Sequence, residues 1–124
     1  MPVSIPSPLL DELRAIEIRD IFRLAGDSLY AKTLNNLARD VALFADAVRG
    51  YVTDAPLDPM RHLAHSLKGA SLSLGAQALG VIFGELEHLA HAGDASALLR
   101  FHADHLPLIT QSQDALRQLD SRPA

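Results

Sequence analysis

Between Ser28 and about Val52 the apolar residues Tyr30, Leu34, Leu37, Val41, Phe44, Val48 and Tyr51 recur at alternating spacings of four and three. That period marks a helix burying one face in a bundle. It returns in Leu63, Leu67, Ala70 and Leu74, on a helix that Asp58 caps and Pro59 opens, both residues suiting a helix start. Leu79, Phe83, Leu86 and Ala90 form the next stripe, over roughly Ala76 to His91. A last helix runs from about Ala95 to Asp120, and Pro107 inside it predicts a kink or a break, because proline removes a backbone donor and crowds the preceding turn. An earlier helix starts near Ser7 and carries Leu10, Leu13, Ile18, Ile21 and Phe22 inward, with its continuity around Ile16 undecided by the pattern.

The punctuation between these stripes agrees with them. Gly26-Asp27-Ser28 ends the first helix and caps the second, Thr53 to Leu57 is a connection, and Gly93-Asp94 supplies a stop followed by a cap. Gly75 marks either a helix end or a close approach to the next element. Residues 1–6 read as an extended lead-in and residues 121–124 as a loose tail. Aromatics are only 5% of the chain, and Val, Ile and Thr never gather into alternating runs, so strands are not expected. The prediction is one all-α domain over residues 1–124: an up-down antiparallel four-helix bundle with an additional N-terminal helix lying across one end.

Charge and composition then narrow the function. A net charge of -4 with no run of Lys or Arg gives no basic field for a phosphate backbone, so nucleic acid is not an expected partner. The chain has no cysteine, which removes disulfides, thiolate metal sites and a cysteine nucleophile, and suits a cytoplasmic location. No apolar run approaches the roughly 20 residues of a membrane-spanning helix. A monomer is expected, because a single bundle accounts for every apolar stripe.

The candidate chemistry lies on the third helix. At about 100° per residue, His65 falls almost opposite the Leu63/Leu67/Ala70/Leu74 stripe, and Lys68, Gly69 and Leu72 share its outward face. A neutral imidazole can attack phosphorus near neutral pH without a separate base. Phosphoryl transfer spreads negative charge over equatorial oxygens, so a nearby cation and good positioning supply most of the catalysis. Lys68, one turn from His65, is placed to be that cation. Gly69 keeps the ring open to a bulky partner, and Leu72 offers that partner an apolar contact. His62, one turn before His65 and partly outward, is either a second contact or a solvated residue.

The run His65-Ser66-Leu67-Lys68-Gly69-Ala70-Ser71, followed by Leu74-Gly75-Ala76, Leu79 and Leu86-Glu87, resembles the motif of the histidine phosphotransfer (HPt) family, found freestanding or at the C-terminus of hybrid sensor kinases. The resemblance implies that a phosphoryl group arrives from a receiver-domain aspartate, rests on Nε2 of His65 and leaves for another receiver. It implies that Mg²⁺ is held by the receiver and that this domain binds no cofactor. It also implies a polar residue beside the imidazole on the adjacent helix, at Glu87, orienting the ring through its other nitrogen.

Other readings compete. His62/His65, His88/His91 and His102/His105 are pairs at helical spacing that could bind metal, but bundle metal sites add inward carboxylates, which these pairs lack. His105, phased among Leu98, Phe101, Ile109 and Leu116, reads as a core histidine, and Ser66 and Ser71 as packing residues. A pure interaction module would bind a receiver or an enzyme through the same face without carrying phosphate. A self-phosphorylating kinase is not expected, since no Gly-rich phosphate loop accompanies the histidine.

Overall fold

The computed structural model describes residues 3–123, and among them there are five helices and no strand: α1 (Glu12–Ala25), α2 (Leu29–Arg49), α3 (Asp58–Ser73), α4 (Gln77–His91) and α5 (Ala95–Ser121). The most extensive packing is α3 on α4, followed by α4 on α5 and α2 on α3, with α1 laid against α2 and α5. The α2 stripe points inward as its period predicts, with Tyr30, Leu34, Leu37, Val41 and Phe44 buried and Val48 and Tyr51 at its margin. On α4, Leu79, Phe83, Leu86 and Ala90 are buried, and so are Ala78, Gly80 and Ile82, because neighbours cover this helix on more than one side. Phe44 meets Phe83 edge to face at 5.4 Å between ring centres, joining α2 to α4 at mid-bundle.

Two of the predicted stops have a common geometry. Gly75 has φ +81°, its N–H donates to the Leu72 carbonyl (3.1 Å), and the Ala76 N–H donates to the Ser71 carbonyl (2.9 Å). Gly93, at φ +74°, repeats this, with its own N–H on Ala90 and the Asp94 N–H on Leu89, each at 3.1 Å. Both are Schellman closures, which use a left-handed residue to satisfy the orphan carbonyls of a helix end. The Asp94 carboxylate then accepts from the Ala97 N–H at 3.1 Å and caps α5. Gly75 is also a close approach, since a Cβ there would lie 2.8 Å from the backbone nitrogen of Ala15.

Several expectations need correction. Helix α1 starts at Glu12 rather than near Ser7, runs unbroken past Ile16, and is capped by the Asp11 carboxylate. Its inward face is Ala15 and Arg19, with Ile18 and Phe22 half-buried, while Leu13 and Ile21 face solvent. The apolar pattern held for Ile18 and Phe22, which pack on the core, and failed at Leu13 and Ile21, because the closest positions take small and charged groups. Ala15 fits against Gly75, and Arg19 donates to the Leu119 carbonyl (3.1 Å) while Arg23 donates to those of Asp120 (2.7 Å) and Arg122 (3.1 Å). These arginines supply donors where α5 runs out of its own. Helix α2 ends at Arg49, short of Val52, and Ser28 precedes it without a side-chain cap bond.

Helix α5 is one piece through Pro107, which lies on its exposed side where the lost donor faces water. The histidine in the core is His102 rather than His105: His102 packs on Phe44, while His105, half-buried, stacks on Phe101 at 3.9 Å between ring centres. The lead-in is docked rather than merely extended. Ile5 packs on the core, Leu10 is buried, and the Leu9 carbonyl accepts from the Ala78 N–H (3.1 Å) at the start of α4. Met1 and Pro2 of that lead-in lie outside the described residues. At the other end, Ser121 closes α5 and Arg122 reaches Glu12 at 3.4 Å, so the segment read as a loose tail is anchored as far as Arg122, with Ala124 outside the described residues.

Candidate functional site

The buried face of α3 is Met60, Ala64, Leu67 and Ser71, continued by Leu74. Leu63 is half-buried and Ala70 exposed, so the stripe is rotated slightly from the one expected, toward Ala64 and Ser71. Ser66, expected to pack, is exposed, and Ser71 is buried. The helix begins one residue differently as well: Leu57 stands at the cap, and Asp58 is inside the first turn, where its charge suits the helix dipole and its carboxylate approaches Arg61 at 3.5 Å.

His65 nevertheless faces outward, with 67% of its side chain exposed. Its Nδ1 lies 2.7 Å from Oε2 of Glu87 on α4, and the other carboxylate oxygen, Oε1, lies 2.8 Å from Nζ of Lys68. One carboxylate therefore holds both functional groups of α3. The Lys68 hydrogen bond, aided by that of His65, keeps the Glu87 carboxyl below the usual carboxylate range against the opposing effect of burial. An ionised carboxylate can only accept, so Nδ1 of His65 carries the proton. In the neutral ring the lone pair is then on Nε2, which makes no hydrogen bond among the described residues.

The surroundings of this pair are open. Gly69 is exposed, and a Cβ added there would meet nothing within 4 Å. No internal contact thus requires a glycine at that position, although glycine inside a helix costs about 1 kcal/mol relative to alanine. Leu72 is 48% exposed and lies over Gly80 of α4. His62 is exposed one turn before His65, with Arg61 Nη2 at 3.4 Å from its Nε2. The six residues singled out in the sequence thus lie on α3 and the neighbouring edge of α4, and His65 and Lys68 are each in direct contact with Glu87.

The sequence reading passed over Gly80 and Gly84. Both belong to α4, and the side chains of Leu72 and Lys68 lie against them. Their signal was two glycines four residues apart inside an otherwise strong helical stripe, a spacing that puts both on one face. Among the described residues no three His, Cys, Asp or Glu side chains come together as a group able to hold a metal ion. No helix among them is long and apolar enough to cross a membrane.

Comparison with curated proteins finds no match, and comparison with solved structures finds none either. Against family models, residues 17–122 match the one described as Hpt domain, a span that takes in all of α2 to α5, most of α1 and every residue of the site. Hpt domains carry phosphoryl groups in two-component signalling, and this chain, helical and without strands among the described residues, with an exposed histidine held by a carboxylate that also holds a lysine, belongs to the Hpt domain family.

Proposed function

We propose that the chain is a phosphorelay carrier that accepts a phosphoryl group on His65 from a receiver-domain aspartate and passes it to another receiver. The observation that carries this reading is the single Glu87 carboxylate shared by His65 Nδ1 and Lys68 Nζ. With its proton on Nδ1, the ring attacks phosphorus through the Nε2 lone pair. The bond from phosphorus to the acyl oxygen breaks and the receiver aspartate leaves as a carboxylate. As Nε2 gives up its electrons the ring becomes cationic, and Glu87 stabilises that charge through the Nδ1 proton. Lys68 offsets the negative charge on the equatorial oxygens. Onward transfer is the reverse at a second receiver.

In this reading Gly69 gives the incoming receiver steric access, Leu72 and His62 are contacts for it, and Mg²⁺ belongs to the receiver. The carrier itself binds no cofactor and has no kinase activity of its own. It works as a cytoplasmic monomer, freestanding or as a module of a hybrid sensor kinase, with α2 to α5 as the up-down bundle and α1 across one end. Short connections and the exposed setting of His65 support that arrangement.

The test is transfer of acid-labile, base-stable label from phosphorylated receivers to wild type and to His65→Gln, with ATP alone as a control. Label on wild type only, and only with a receiver, is the expected result. Absence of label across a broad receiver set, with receiver binding retained, would overturn the carrier in favour of a binding module. Self-labelling from ATP would make the chain an enzyme.

A further inference from the structure

Glycine is the poorest helix former after proline, yet α4 has two of them, at 80 and 84, in its interior. Neither adopts a left-handed backbone, so the turn chemistry that explains Gly75 and Gly93 does not apply. What they have in common is a neighbour. A Cβ on Gly80 would lie 2.4 Å from Cδ2 of Leu72, and a Cβ on Gly84 would lie 3.3 Å from Cδ of Lys68. The two missing side chains make a shallow trough along α4, and the side chains of Leu72 and Lys68 from α3 lie down in it.

The trough is in register with the reacting groups. Descending α3, His65 meets Glu87, the Lys68 stem meets Gly84, and Leu72 meets Gly80, as the antiparallel pairing of α3 with α4 requires. Helix α4 thus supplies both a floor for the Lys68 stem and, less than one turn further on, the carboxylate that takes its ammonium. The α3 side offers no comparable support, because the space beside Gly69 is open.

We propose that Gly84 is a positioning residue for Lys68. By leaving room for the lysine stem against α4, it lets Nζ reach the carboxylate that also holds His65 Nδ1, and so fixes the cation beside the nucleophile. A Cβ at position 84 makes the stem give by a few tenths of an ångström, and a larger side chain lifts it and moves the ammonium off Glu87. Gly80 does the same for Leu72, setting how far that leucine stands above the surface. The inference rests on the carrier reading for its consequence in transfer, but not for its geometry.

The experiment compares label transfer from a phosphorylated receiver in wild type, Gly84→Leu, Lys68→Ala and the double variant, together with the ¹⁵N–¹H signal of the Lys68 ammonium, which is seen when a hydrogen bond slows its exchange. Leucine and alanine are strong helix formers, so neither substitution opposes the helix. Lys68→Ala sets the reference loss, on the order of tenfold or more for removal of a charge-stabilising donor. Gly84→Leu is expected to come within about twofold of that loss and to abolish the ammonium signal, and the double variant to be no slower than Lys68→Ala, since two substitutions acting through one group do not add. Wild-type transfer in Gly84→Leu, or losses that multiply in the double variant, would overturn the proposal. If circular dichroism shows Gly84→Leu unfolded, Gly84→Ala takes its place: a smaller loss and a weakened ammonium signal support the proposal, and no change in either overturns it. Should wild type take no label at all, the carrier reading fails, and the ammonium signal alone then decides whether Gly84 positions Lys68.

Discussion

His102 and Glu87 are both held away from their ordinary ionisation, in opposite settings. Burial pushes the His102 imidazole down, with a further push from the positive charge of Arg49, whereas the Lys68 hydrogen bond pulls the Glu87 carboxyl down at the surface. For His102 the native state binds a proton less readily than the unfolded chain, whose histidine titrates near 6.5. Stability is therefore unaffected by this group above that pH and falls as the pH drops below it. The Glu87 contribution is present above 4.5 and is lost only below, as the pH falls through its lowered native value. The two windows separate experimentally. Urea unfolding between about pH 7.5 and pH 5 should show a smaller loss of stability in His102→Leu than in wild type, and equal losses would mean that another group controls this range.

At the scale of elements, the α3–α4 connection is a single tight joint. Gly75 closes α3 with a positive φ and sits against the backbone of Ala15. Gly75→Ala would add the cost of a left-handed non-glycine residue to that of an overpacked contact, roughly 2–5 kcal/mol in sum, read as a lowered urea midpoint. If the variant matched wild type, the joint would be looser than its distances imply. Four of the five helices were readable from apolar period and from Gly, Asp and Pro punctuation, because α2 to α5 bury large side chains in regular stripes. Helix α1 was readable as to its existence, its end at Gly26 and the inward Ile18 and Phe22, but not as to its start or its most buried positions, which are an alanine and an arginine that no hydrophobic period detects. On α3 the converse held: His65, Lys68 and Gly69 are spaced by helix geometry, a local pattern that needs no knowledge of packing, whereas Glu87, on another helix, was pointed to only by the resemblance to the HPt motif. Gly80 and Gly84 went unread because their meaning lies in the neighbour each one touches on another helix.

Across the whole molecule, contacts near in sequence and contacts far apart have been divided between different tasks. The pair α3 and α4, joined by a short turn, carries His65, Lys68 and Glu87. Helix α1 is attached to the end of α5 by Arg19 and Arg23, whose hydrogen bonds join residues 100 and 97 apart in the chain. It leaves Leu13 and Leu24 80% and 89% exposed. Helices with few buried contacts open locally at lower free energy than the core does, and long-range closures are the slower ones to form. Amide hydrogen exchange should accordingly show α1 losing protection well before α4, and equal protection would mean that the arginine attachments bind the fold into one cooperative unit. Earlier exchange of α1 would make those two arginines the clasp of a detachable flank, one that opens and closes while the helices that hold the histidine keep their shape.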